Sequence, residues 1–293
     1  EGYCRALSIR AGDTIEICVS TVADRYGLTI ERWGAEREHV WSASGLPGTH
    51  HDLPADADAQ GCGWPVSVEV PTDTSWRSGF YLITLTAEEG PTDRRIAHAG
   101  VVIRADNRRR PAMLVLATNT WNAYNTWGGQ SLYTGGRQVS FHRPFARGML
   151  DRPEVDRDDR KARPVHTGEE PDADGLIFQA YRTERNYPSA IGSTGWFTYE
   201  RRFVEWAERD GHAFDYAISS DLERDPAILD GYDLVVVGPG PGDPRDDDDP
   251  KMAALRHAVA SLLAAERPFL AVCLGHQALC HQLGIPLAYK DIV

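Results

Sequence analysis

The chain has 293 residues, 42% of them hydrophobic and 25% charged, which suits a globular protein of one large or two smaller domains. A formal net charge of −12 argues against nucleic acid or an anionic membrane surface as the main partner. No apolar run reaches the length of a membrane span, and "EGYCRALSIRAGD" has no basic segment leading into an apolar one, so the expectation is a cytoplasmic protein without a signal peptide.

In chain order, residues 1–104 read as all-β. In "TIEICVS" (14–20), Ile15, Ile17 and Val19 point one way and Glu16, Cys18 and Ser20 the other. "LTIERW" (28–33), "PVSVEV" (65–70), "FYLITLT" (80–86) and "AGVVI" (99–103) continue the pattern, with turns expected at Gly12-Asp13, "GLPG" (45–48) and Ser78-Gly79. This spacing predicts a β-sandwich. The charged run before Pro111 makes 105–111 a linker, and 112–293 a second, α/β domain. There, "AMLVLAT" (112–118) is apolar throughout, as in a strand buried on both faces of a parallel sheet. "DRPEVDRDDRKARP" (151–164) reads as a solvated loop. "YERRFVEWAERDG" (199–211) reads as a helix with Phe203, Trp206 and Ala207 on one face and Gly211 as its stop. Further strands are expected at about 213–218, 233–238 and 268–272. Helices open at Asp225-Pro226 and Asp249-Pro250 and directly after Cys273. The second of these runs to about Ala265, with Leu255, Val259, Leu262 and Leu263 on one face. Strand and helix in alternation predict a doubly wound parallel sheet.

The cysteines, Cys4, Cys18, Cys62, Cys273 and Cys280, are odd in number and lack zinc-site spacing, so free thiols in a reducing compartment are expected. Cys273 stands apart. In "FLAVCLGHQALCHQLG" (269–284) it falls between a buried strand and a helix N-terminus. Free N–H groups there favour a thiolate, and the Leu274 N–H is placed to face an oxyanion. The alternative is a buried structural cysteine. "VVVGPGPGDP" (235–244) ends the neighbouring strand with a rigid turn of bare N–H groups that can supply a second oxyanion donor.

Together these two segments resemble the class I glutamine amidotransferases of the anthranilate synthase and phenazine type, over about 229–293. The resemblance implies a flavodoxin-like fold, with Cys273 attacking the glutamine side-chain amide and no cofactor. It implies that Leu274 and Gly242 hold the oxyanion, that Gly240, Pro241 and Gly242 line the glutamine pocket, and that Gln277 binds substrate. It also implies a synthase partner or a homo-oligomer. The family's catalytic His and Glu lie far downstream of the cysteine, and here only 20 residues follow it. His276 and His281 lie within the helix that begins at the nucleophile, which would point His276 along the helix rather than back at sulfur.

A second resemblance covers about 1–236. "GCGWPVSVEVP" (61–71), "SGFYLITL" (78–85), "LATNTWNAYNTWGG" (116–129), "VSFHRPF" (139–145) and "FVEWAERDGHAFDYA" (203–217) are similar to the large subunit of N,N-dimethylformamidase and its relatives. It implies hydrolysis of a small formamide at an iron held by tyrosines and a glutamate, with Tyr124 as the ligand. Packing of Trp121, Tyr124 and Trp127 over the sheet is the alternative. That family follows its third strand with a Gly-His-Asp-Glu-type turn, where this sequence has Gly-Pro-Gly-Pro-Gly-Asp. The acidic run "DPRDDDDP" (243–250) reads as a solvated loop. A third reading is a non-catalytic scaffold.

Overall fold

The alternation of "TIEICV" becomes, in the computed structural model, a strand with two buried faces. The structure describes residues 1–90, 95–105, 110–152, 195–197, 200–229, 232, 234–237 and 242–288. Strands β1 (Gly2–Cys4), β3 (Thr14–Val19) and β6 (Val68–Pro71) form an antiparallel sheet in the order β1-β3-β6. A second sheet takes β2 (Ser8–Arg10), β4 (Arg25–Trp33), β5 (Arg37–Pro47), β7 (Gly79–Ala87) and β8 (Ile96–Arg104) in the order β2-β8-β7-β4-β5. Ile15, Ile17 and Val19 share one core with Leu28, Ile30, Ile83, Val101 and Ile103 of the second sheet. Burying each such side chain stabilises by about 1.5–3 kcal/mol before chain entropy is counted. Cys18, on the other face of β3, packs with Tyr3, Trp64 and Ala57 of the short helix α1 (Ala57–Gln60).

The third sheet is parallel throughout. Its strands are β9 (Ala112–Leu116), β10 (Phe214–Ile218), β11 (Leu234–Val237) and β12 (Phe269–Ala271), in the order β10-β9-β11-β12. Its helices are α2 (Thr118–Tyr124), α3 (Glu200–Arg209), α4 (Ser219–Arg224), α5 (Pro250–Ala264) and α6 (Leu274–Gln282), with a 3₁₀ turn at Pro226–Leu229. Asp249 caps α5 by accepting the Lys251 N–H at 2.8 Å. On one sheet face Met113, Val115, Ala217, Val235 and Val237 meet Ala258 and Leu262 of α5. On the other, Leu114, Leu116, Tyr216 and Ile218 meet Val204 of α3 together with Trp33, Phe80 and Val102 of the second N-terminal sheet. That covering stops at β9: Leu234, Leu270 and Val272, on the same face of β11 and β12, are exposed.

Two sequence expectations change. "REHVWSASGLP", expected to hold a turn at 45–48, contains the long edge strand β5, whose mostly exposed side chains leave no apolar alternation to read. In α3 the inward residues are Arg201, Val204 and Ala207, while Phe203 and Trp206 lie outward. The reason is an anchor that periodicity cannot see. Glu208 on the same helix takes a two-pronged ion pair from Arg32 of β4, at 2.6 and 3.2 Å, and also accepts the Ala35 N–H at 2.9 Å. Of the expected loop 151–164, residues 153–164 lie outside the described residues.

Candidate active site at the carboxyl edge of the parallel sheet

The strand order places a topological switch between β9 and β11, since the chain leaves β9 in one direction to make β10 and in the other to make β11. At this edge β12 ends and the chain turns into α6 through Cys273. The turn is tight: Val272 N–H donates to Val237 O at 3.0 Å, and Gly275 N–H to Val272 O at 3.1 Å. Cys273 adopts φ 54° and ψ −112°, a left-handed conformation costly for a residue with a β-carbon. Its side chain is exposed. This geometry, a side chain thrust outward from a strained strand-to-helix bend, is how nucleophile elbows present their reactive atom.

Leu274 is buried, and its N–H has no hydrogen-bond partner among the described residues, as an oxyanion donor requires. Gly275 lies against the end of β11. Gln277 is exposed one turn along α6, its backbone N–H donating to Cys273 O at 2.9 Å. Gly242, at φ 133°, packs against Met252 and Lys251 of α5. Those two residues line, with Val237, Leu274, Asn119 and Ser219, a cavity of ≈ 40 Å³ at the switch point. Leu274 lines this cavity, and Gly242 lies behind two of its walls, Lys251 and Met252. Burial lowers the Lys251 ammonium pKa, against the pull of Asp249 and Glu223. Gly240 and Pro241 lie outside the described residues.

Among the described residues no side chain hydrogen-bonds the Cys273 sulfur. His276 turns its Nε2 toward Cys280 Sγ at 3.6 Å, and so faces along the helix. His281 is exposed on the last turn. Tyr124 ends α2 with its ring stacked on Tyr133, centroids 4.0 Å apart and planes 12° from parallel. No three His, Cys, Asp or Glu side chains converge as a metal site among the described residues.

Sequence reading missed Glu200, the first residue of α3, which carries no motif. Its Oε1 accepts the Trp121 Nε1–H at 3.0 Å, and its Oε2 is sealed from solvent with no hydrogen-bond partner among the described residues. Burial drives its pKa up to about 7, against the opposing effect of the Trp121 hydrogen bond. The signal is spatial, since the indole and the carboxyl, 79 positions apart in sequence, meet only on folding.

A parallel sheet whose switch-point edge carries an exposed cysteine on a strained strand–turn–helix bend defines an α/β protein with a thiol site of the elbow type. Residues 26–239 match the family model described as N,N-dimethylformamidase beta subunit-like, C-terminal, and the chain belongs to that family. Residues 211–291 match glutamine amidotransferase class-I, so the thiol elbow lies within a segment that matches the amidotransferases and overlaps the formamidase-like one over 211–239. Over 93 residues the chain is 54% identical to a phenazine-specific anthranilate synthase of Pseudomonas fluorescens, covering 32% of this chain and 15% of that one. It is 52% identical over 93 residues to the phenazine-specific anthranilate synthase of Pseudomonas chlororaphis, again covering 32% and 15%. It is 37% identical over 94 residues to an aminodeoxychorismate synthase of Streptomyces pristinaespiralis, covering 32% and 12%. The chain thus spans only a small fraction of the length of these relatives. Among the described residues no helix is long and apolar enough to cross a membrane.

Proposed function

We propose that the site hydrolyses an amide C–N bond, with the glutamine side chain as substrate and Cys273 as nucleophile. The observation that carries the reading is the exposed Cys273 thiol on its positive-φ bend, beside a Leu274 N–H that has no hydrogen-bond partner among the described residues. The thiolate sulfur bonds to the amide carbon, and the oxygen gathers negative charge against the N–H groups of Leu274 and Gly242. The C–N bond then breaks and the nitrogen leaves as ammonia after taking a proton. Water attacks the thioester to give glutamate and return the thiol. Gln277, with Gly240 and Pro241, orients the substrate. The base that takes the thiol proton comes from outside the described residues. In this reading 1–104 is a β-sandwich, 112–293 a flavodoxin-like domain, and the setting is cytoplasmic, in keeping with five free cysteines.

A glutamine analogue that alkylates thiols tests this. It labels Cys273 and spares Cys280, and Cys273→Ala abolishes both label and ammonia release. Label on Cys280, or ammonia release unchanged in Cys273→Ala, removes the reading.

A second reading, formamide hydrolysis at iron, rests on the family match and on the stacked phenols of Tyr124 and Tyr133. Phenol oxygen is a suitable iron donor, but the described residues bring no trio of His, Cys, Asp and Glu around it. Iron content of the purified protein decides: less than stoichiometric iron after expression in iron-replete medium sets this reading aside.

A further inference from the structure

A cavity of ≈ 240 Å³ is away from the cysteine elbow. Three segments distant in sequence meet there: the β1–β2 connection with Arg5 and Leu7, the loop carrying Phe141 and His142, and the end of β10 with the short helix α4, bearing Ile218 and, at the helix's last position, Arg224. It opens at the carboxyl edge of β10, the edge where α/β sheets take ligands. Its walls divide by chemistry. Leu7, Phe141 and Ile218 give an apolar floor, and Arg5, Arg224 and His142 stand at the rim.

The rim charge is only partly answered from within. Arg5 meets Glu16 at 3.5 Å, an exposed contact of little energetic weight. Arg224 meets Asp221 at 2.5 Å. Asp221, however, also accepts the Ser8 hydroxyl at 2.6 Å and the Ile218 N–H at 3.0 Å, and faces Arg104 at 3.3 Å. One carboxylate is thus shared between two guanidiniums. Arg5 and Arg224 line this cavity and, among the described lining residues, no carboxylate does, in a chain whose overall charge is −12. Local positive charge in an acidic protein is a selective feature for an anion.

We propose that this crevice binds a small organic carboxylate with a flat or branched apolar body. The carboxylate pairs with Arg224 and Arg5, and the body lies on Phe141, Leu7 and Ile218. Guanidinium forks match carboxylate oxygens two by two, which a neutral amide cannot exploit. A volume above the 150 Å³ or so that holds a benzene ring leaves room for the ring and its carboxylate. The site is separate from Cys273 and stands whether or not the thiol hydrolyses glutamine.

Benzoate is the probe, with benzamide as its neutral counterpart and inorganic phosphate as the anion without an apolar body. Calorimetric titration of the full chain is expected to show benzoate binding at least about tenfold tighter than either, the weight of one charge-assisted pair. Arg5→Met and Arg224→Gln each weaken benzoate by about tenfold and leave benzamide unchanged. Phe141→Ala weakens benzoate and benzamide alike. Arg224 also holds Asp221, so Arg5→Met, whose own contact is exposed, keeps the test open if Arg224→Gln unfolds. Equal binding of benzoate and benzamide, phosphate binding as tightly as benzoate, or no binding of benzoate overturns the proposal.

Discussion

A β-carbon added to Gly275 would stand 3.1 Å from both the carbonyl oxygen and Cγ1 of Val237. The first turn of α6 therefore lies on the end of β11 so closely that a methyl group fits only if Val237 gives by a few tenths of an ångström, and this contact helps to set the angle at which Cys273 leaves the sheet. Gly275→Ala is expected to cost about 1–3 kcal/mol of stability, as overpacking does, and to slow alkylation of Cys273 by shifting the elbow. Urea denaturation and thiol-labelling kinetics read the two effects. Labelling at the native rate in a destabilised variant shows that the elbow is not held by this contact.

The bend at Cys273 makes a separate prediction. With φ at 54°, the strain belongs to the β-carbon and not to the sulfur. Cys273→Ala keeps it and should leave stability near native, whereas Cys273→Gly relieves it and gains roughly 1 kcal/mol over alanine. The exposed thiol has little packing to lose. Denaturant midpoints of the two variants decide, and equal midpoints mean an unstrained bend.

The Arg32–Glu208 pair joins the N-terminal sheets to α3 from nearly buried positions, with side chains 6% and 19% exposed. Removing one partner strands the other charge, so Arg32→Met or Glu208→Leu alone is expected to cost about 3 kcal/mol. The double variant should cost clearly less than the sum, because neither charge is then left behind. A double-mutant cycle by denaturant unfolding measures the coupling, and additive losses show that the pair does not act as a unit.

Leu116 and Leu270 share one face of the parallel sheet but not its covering. Leu116 is fully buried beneath α3 and the N-terminal sheet, and Leu270 is 55% exposed on edge strand β12. Leu116→Ala should cost about 2–5 kcal/mol and Leu270→Ala less than about 0.5. Thermal unfolding of both variants tests whether the face over β11 and β12 is open in solution. A large loss at Leu270 means that something covers it.

This contrast marks how far the sequence was legible. "AMLVLAT" reads as a strand buried on two faces, and β9 is, yet β11, the strand expected at about 233–238, leaves Leu234 exposed, because neighbours in space decide burial and a strand does not announce them. The β9–β12 strands and the Asp249 cap were readable from local pattern, which the backbone obeys directly. β5 and the inward face of α3 were not, since an edge strand needs no alternation and Arg32 reaches α3 across 176 residues. At the site, Cys273 was visible through its setting between strand and helix. Glu200 and the crevice at Arg5 and Arg224 depend wholly on residues that folding brings together.

Glu200 carries the last prediction, on pH. Its carboxyl has an ordinary value of 4.5 in the unfolded chain and about 7 when folded, because burial penalises the charged form. Between these values the folded protein holds a proton that the unfolded chain has released, so stability falls as pH rises from about 4.5 to 7 and levels off above. Glu200→Gln keeps the shape and an acceptor for the Trp121 N–H but cannot ionise. It is expected to flatten that slope, to match the native protein at pH 4.5, and to exceed it by about 2–3 kcal/mol at pH 8. Unfolding free energies of the two proteins, compared at several pH values, provide the check. Parallel curves across the window mean that the carboxyl is ionised in the folded state, and that a donor outside the described residues reaches its second oxygen.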